Sequence, residues 1–97
     1  MEQPHLSIII PAHNEEDRLP NTLEQVSAFL ESQDYLAEVL IVENGSQDET
    51  YSIAQSYAGQ FPNYIVLQNA HPGKGLAVKR GMLAAHGQYR FMCDADL

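Results

Sequence analysis

The sequence predicts an α/β fold: a parallel sheet of strand order 3-2-1-4 with helices on both faces. Two observations predict it. Four short apolar runs, Leu6 to Ile10, Glu38 to Val42, Tyr64 to Leu67 and Tyr89 to Cys93, recur along 97 residues and are rich in β-branched and aromatic side chains. The three stretches between them carry apolar residues at helical spacing instead of alternation. Strand-then-helix units of this length imply right-handed crossovers and therefore parallel strands.

Each element has a local reason. Leu6 to Ile10 is a buried-strand pattern, closed by Pro11, which lacks a donor. Leu19, Leu23, Val26 and Leu30 share one helical face, Pro20 suits a first turn, and the helix is expected to reach about Gln33. Glu43-Asn44-Gly45-Ser46 breaks the second strand with turn residues. Ser46 with Glu49 three positions on reads as a capping box opening a second helix, with Ile53, Ala54, Tyr57 and Ala58 on its core face. Asp48 and Glu49 read as cap and dipole partners of that helix. Asn69 to Gly73 is a loop, and a third helix is expected from Lys74 to about His86, with Val78, Met82 and Ala85 inward and Gly87 as its stop.

Composition narrows the function. Five Lys+Arg against thirteen Asp+Glu give a formal charge of -8, a balance that repels nucleic acid and excludes it as a partner. Four of the five cations, Lys74, Lys79, Arg80 and Arg90, fall in the last quarter. A single cysteine, Cys93, makes no intrachain disulfide and fits a reducing, cytoplasmic setting; inside an apolar strand it reads as core. The polar start and the lack of an apolar stretch near the roughly 18 residues of a membrane span lead to the expectation of neither signal peptide nor anchor.

The chemistry gathers at strand ends. In an extended segment, residues two apart project to the same side, so Asp94 and Asp96 can converge on one cation while Ala95 points away. Two hard carboxylates with phosphate oxygens and waters suit Mg²⁺ or Mn²⁺, and no Cys/His set suggests zinc. Gly73-Lys74-Gly75 at a helix start offers backbone N–H groups and a cation to an anion. It is not a P-loop, because Gln68 stands where the first glycine belongs and Gly75 where Ser or Thr would hold Mg²⁺. Pro11 to Glu15 contains no glycine, which disfavours a dinucleotide dehydrogenase and equally a sugar nucleotidyltransferase. Lys79 and Arg80 are adjacent on one helix and cannot both face one ligand. The loop histidines His13 and His71 are assigned no role.

Four motifs in order, Pro11-Ala12-His13-Asn14-Glu15-Glu16, Val42-Glu43-Asn44-Gly45-Ser46-Gln47-Asp48-Glu49-Thr50, Gly73-Lys74-Gly75 and Asp94-Ala95-Asp96, resemble those of the inverting family 2-type glycosyltransferases with the GT-A fold, which include dolichyl-phosphate mannose and glucose synthases. The resemblance implies that residues 1–97 form the N-terminal, three-layer Rossmann-like half of such a domain and bind a UDP- or GDP-sugar. It implies that Pro11, Ala12, Asn14 and Glu15 line the nucleoside pocket, with Glu15 near the ribose. Glu43, Asn44 and Gly45 match the segment that holds base and ribose, where the family usually has Asp-Asp and this sequence has an acid and an amide. Lys74 and Lys79 fall in the diphosphate segment, with Lys79 the better match to the family's basic residue and Arg80 its solvent-exposed neighbour. Asp94 and Asp96 match the metal-binding acids. The implied reaction moves a hexose with inversion, and Gly-Lys-Gly with Asp-Ala-Asp-Leu looks most like enzymes whose acceptor is a polyprenyl phosphate, which would bring the parent protein to the cytoplasmic face of a membrane. The acceptor half and the catalytic base are expected beyond Leu97. The competing expectation is a nucleotide-sugar-binding module without turnover, with an exposed fourth-strand edge open to self-association.

Overall fold

The computed structural model describes residues 3–95, as β1 (Leu6–Ala12), α1 (Leu19–Glu31), β2 (Ala37–Asn44), α2 (Thr50–Gln60), β3 (Tyr64–Asn69), α3 (Lys74–Ala84) and β4 (Tyr89–Met92). The four strands form one parallel sheet of order β3-β2-β1-β4, as the element pattern predicts. Along β1 the side chains alternate between two cores. Ile8, Ile10 and Ala12 face α1 and α2 together with Leu19, Leu23, Val26 and Ala54. Ile9 faces α3 with Leu40, Val42 and Ala77. The chain crosses one way for β1 to β3 and back for β4, so crossovers of one hand put α3 on the opposite face from α1 and α2. That reversal opens a crevice beyond the carboxyl ends of β1 and β4.

Several boundaries differ from the sequence expectation. β1 runs through Pro11 to Ala12, in register with Val42 and Glu43 of β2. The missing N–H is harmless because Pro11, like Ile9 two residues earlier, directs its polar groups toward β4, whose pairing with β1 stops with the bond from Cys93 N–H to Ile9 C=O at 2.8 Å. α1 ends at Glu31 and α3 at Ala84. The capping box does not form. Asp48 Oδ1 accepts the Thr50 backbone N–H at 3.0 Å and also the Thr50 hydroxyl, while Ser46 turns its hydroxyl toward the loop after β1. In α3 the deepest residues are Ala77 and Gly81, with Val78 and Met82 half-buried. Helix and sheet meet so closely there that a Cβ on Gly81 would lie 2.4 Å from Ile9 Cγ2. Gly87 does not end the helix; it packs against β1.

At the end of the sheet away from the crevice, Glu38 is buried and accepts three bonds: Ser7 Oγ–H at 2.6 Å, His86 backbone N–H at 2.6 Å and His86 Nδ1 at 3.2 Å. Gly87 N–H in turn donates to Ser7 Oγ at 2.8 Å. Burial pushes the Glu38 carboxyl up, but the bonds from Ser7 and His86 outweigh it and hold it below the ordinary glutamate value. This buried polar knot ties the turn before β4 to β1 and β2.

Candidate functional site

A cleft of about 350 Å³ opens at the carboxyl end of the sheet. Pro11, Ala12 and Glu15 line it from the loop after β1, Asn44 from the end of β2, Lys74 from the start of α3 and Asp94 from the segment after β4. Six residues singled out in the sequence therefore share one crevice, although they span most of the chain.

The two loops that form one wall are strapped together. Asn14, in the left-handed region with φ 52°, donates its backbone N–H to Ser46 Oγ at 3.0 Å, and its Oδ1 accepts the Gln47 N–H at 2.8 Å. Glu15 N–H donates to Thr50 Oγ1 at 2.8 Å and Glu16 N–H to Asp48 Oδ2 at 3.2 Å. Burial pushes Asp48 up, and the bonds from Thr50 and Glu16 override it and hold the carboxylate below its usual range. Gly45 is at φ 53°, and a Cβ there would meet Ala70 O at 3.0 Å and Pro72 Cδ at 3.3 Å, so only glycine lets the loop before α3 close over the end of β2. Asn14 and Gly45 thus build the wall from behind and do not line the cleft. Glu43 does the same: it is 1% exposed, Oε2 accepts the Ser46 N–H at 2.5 Å and Oε1 accepts Gln68 Nε2 at 3.2 Å.

At the mouth, Lys74 Nζ lies 2.6 Å from Asp94 Oδ1, with both side chains more than half exposed. Asp94 is held from behind, where Thr22 Oγ1 of α1 donates to Ala95 O at 2.5 Å. Cys93 faces the α1 core, and burial together with the Asp94 charge pushes its thiol up, away from thiolate chemistry. Asp96 lies outside the described residues, so the convergence of the Asp94/Asp96 pair does too. Glu15 Oε2 is ion-paired with Arg18 Nε at 2.7 Å, and it is a buried oxygen that accepts no hydrogen bond among the described residues. Among those residues no three His, Cys, Asp or Glu side chains cluster as a complete metal cage. The carboxylates that line the cleft, Asp94 and the Glu15 group ion-paired with Arg18, are hard oxygen ligands of the kind that fit a divalent cation sharing its coordination with phosphate oxygens and water.

The structure separates Lys79 from this group. It lies on the outer side of α3 beside Gln68, His71 and Leu83, because five residues along a helix from Lys74 means about 7.5 Å of travel and about 140° of rotation. Of the two lysines of α3, the cleft takes Lys74. Arg80 is not idle either: its guanidinium donates to Asn69 Oδ1 at 2.6 Å and to Gln68 O. His13, given no role from the sequence, lines the cleft and donates from Nδ1 to Asn44 O at 2.5 Å. Only the strapped loops could have revealed it; a lone histidine in a loop carries no such signal.

A family model, Glycosyl transferase family 2, matches residues 7–97. A dolichyl-phosphate beta-glucosyltransferase of Drosophila melanogaster is 41% identical over 99 residues, covering 94% of this chain and 30% of its own length. A Trichomonas vaginalis relative of the same description, form ALG5D, is 40% identical over 100 residues, covering 97% and 31%. The chain thus spans about 30% of the length of these curated relatives. Among solved structures, the mannosyltransferase PcManGT of Pyrobaculum calidifontis, in complex with GDP-Man and Mn²⁺, superposes with a TM-score of 0.82 at 25% identity, covering 99% of this chain and 28% of that one. Glucosyl-3-phosphoglycerate synthase of Mycobacterium tuberculosis, in complex with Mn²⁺, UDP and its product, gives 0.74 at 25% identity, covering 95% and 33%. The sheet order, the crevice at its switch point and the match over residues 7–97 place this chain in glycosyl transferase family 2.

Proposed function

We propose that this chain is the nucleotide-sugar-binding, N-terminal part of a longer glycosyltransferase that moves a hexose from a UDP- or GDP-sugar to a polyprenyl phosphate such as dolichyl phosphate. The observation that carries the proposal is the meeting of Lys74 and Asp94 at the mouth of a cleft walled by the loops after β1 and β2. A cation at a helix N-terminus suits a diphosphate, since the first N–H groups of α3 and the helix dipole favour negative charge there. Asp94, with Asp96, would hold Mg²⁺ or Mn²⁺, which supplies charge stabilisation for the departing nucleoside diphosphate. Lys74 would then exchange its carboxylate partner for a phosphate oxygen, which loses little because an exposed ion pair is weak. The Mn²⁺ complexes of two structural neighbours and the names of the curated relatives support this reading.

The relatives' greater length supports a division of labour in which residues 1–97 bind the donor and do not turn it over alone. No helix among the described residues is long and apolar enough to cross a membrane. The lipid acceptor would be met at the cytoplasmic face, through other parts of the parent protein. Alone, the chain would self-associate along β4, where Tyr89 and Phe91 are 64% and 61% exposed.

Calorimetric titration with UDP and with GDP, each with and without Mn²⁺, tests the donor site. One of the two should bind, more tightly with Mn²⁺, and Asp94→Asn should remove the metal-dependent gain while Lys74→Met weakens binding with or without metal. No binding by either nucleotide, or an Asp94→Asn variant that keeps the Mn²⁺ gain, overturns the proposal.

A further inference from the structure

We infer that Arg80 is a positioning residue which, acting through Asn69, fixes the Asn44 carboxamide so that its N–H group and not its carbonyl faces the cleft, and that the bound nucleotide must meet it with a hydrogen-bond acceptor. This rests on the donor-site reading above.

The polarity of the relay is forced at its outer end. A guanidinium has donors and no acceptor, so the Asn69 atom 2.6 Å from Arg80 Nη1 is the side-chain oxygen. The Asn69 NH₂ is thereby turned toward β2, where it donates to Asn44 Oδ1 at 3.1 Å. With Oδ1 engaged, the Asn44 Nδ2 donor is left over. Asn44 is 2% exposed and lines the cleft. Its Nδ2 makes no hydrogen bond and is not a fully buried unsatisfied atom among the described residues, so on a residue that lines the cleft it is the polar group left to a ligand.

A second relay reaches the same residue from the other side. Gln47 N–H donates to Asn14 Oδ1 at 2.8 Å, which turns the Asn14 NH₂ toward His13 Nε2, 3.2 Å away. His13 then carries its proton on Nδ1 and donates it to Asn44 O. Both oxygens of Asn44 are thus taken by protein donors, and what remains for a ligand is an N–H. A base carbonyl or ring nitrogen satisfies it; an imide N–H does not. A carboxylate of the same shape at this position would select the opposite partner, so the amide is a specificity element and Arg80, which never touches the cleft, sets its sense.

Two measurements test this. In the native chain without ligand, side-chain amide signals in ¹⁵N NMR should show the Asn44 Nδ2 protons exchanging with water faster than the Asn69 proton bonded to Asn44. Protection of Asn44 with fast exchange at Asn69 overturns the orientation, and this measurement needs no variant. Titration with UDP and GDP plus Mn²⁺ should then show Asn44→Asp weakening the nucleotide that binds the native chain by about tenfold, the size of one lost hydrogen bond. Asn69→Asp should weaken it similarly, because a carboxylate between Arg80 and Asn44 has no donor and pulls the Asn44 NH₂ away from the cleft, and in NMR it should slow Asn44 exchange. Affinity unchanged or raised in both variants overturns the inference while leaving the donor site standing. Absence of binding by either nucleotide to the native chain overturns the donor-site reading and the ligand half of the inference together, with the exchange experiment still deciding the orientation.

Discussion

Replacing Gly87 by alanine tests how the edge strand that leads to Asp94 is held. Gly87 is buried in the turn between α3 and β4, and a Cβ there would lie 2.5 Å from Ser7 Oγ, 2.7 Å from Ser7 N and 2.9 Å from Leu6 C. Two of those three atoms are backbone of the central strand β1, so no side-chain rotation relieves the overlap and the turn itself must move outward. Overpacking of this kind costs about 1–3 kcal/mol. The displacement also breaks the bond from Gly87 N–H to Ser7 Oγ and disturbs the Ser7–Glu38 bond, adding about 1 kcal/mol. A total near 2–4 kcal/mol removes a large part of the roughly 5–15 kcal/mol available to a domain of this size and lowers Tm by roughly 10–30 °C. Thermal unfolding followed by circular dichroism reads this directly. Gly59→Ala is the control: that glycine lies in α2 with no atom within 4 Å of the added Cβ, and it should gain about 0.5–1 kcal/mol from helix propensity. A Gly87→Ala variant melting within 2 °C of the native chain would refute the close approach of the turn to β1.

Glu38→Gln keeps the shape but points an NH₂ at donors, so Ser7 O–H or His86 N–H loses its acceptor, at a cost of about 1–3 kcal/mol at neutral pH. Because the Glu38 carboxyl is held below its ordinary value in the folded chain, its stabilising contribution is complete above the unfolded value near about 4.3 and is lost as pH falls through the folded one. The gap in urea midpoint between native and Glu38→Gln chains should therefore narrow as pH is lowered from 7 through the carboxylate range; a gap that stays constant argues against the lowered carboxyl. Thr22→Val should cost about 1–3 kcal/mol by orphaning Ala95 O, and by loosening the segment beside Asp94 it should weaken the Mn²⁺-dependent part of nucleotide binding. If the metal-dependent part survives intact, Thr22 only stabilises α1.

Much of this molecule was legible in the order of its residues. Periodicity is a local property, so the change from Ile8-Ile9-Ile10 to the spaced Leu19, Leu23 and Val26 announces strand and helix without any distant contact. The handedness of crossovers then restricts the sheet to few orders. Pro11 inside a strand, the failed capping box and the small-residue seam of Ala77 and Gly81 were not legible, because each depends on which neighbour lies opposite: a strand edge beyond β4's reach, a loop that claims the Ser46 hydroxyl, and a sheet close enough to exclude side chains.

The sequence by itself determined the fold class, the strand order and the gathering of Pro11, Ala12, Glu15, Asn44, Lys74 and Asp94 at one end of the sheet, since strand ends and the loops that follow them are fixed by pattern and topology. Only the tertiary structure decided which polar group each side chain offers. Lys74 and not Lys79 reaches the cleft because of helical rotation, Glu43 is spent on a turn, and Asn44 presents its donor because Arg80, 36 positions later in the chain, has no acceptor to give Asn69. Hydrogen-bond direction is settled by partners brought together through space, and nothing in a residue's sequence neighbours encodes it.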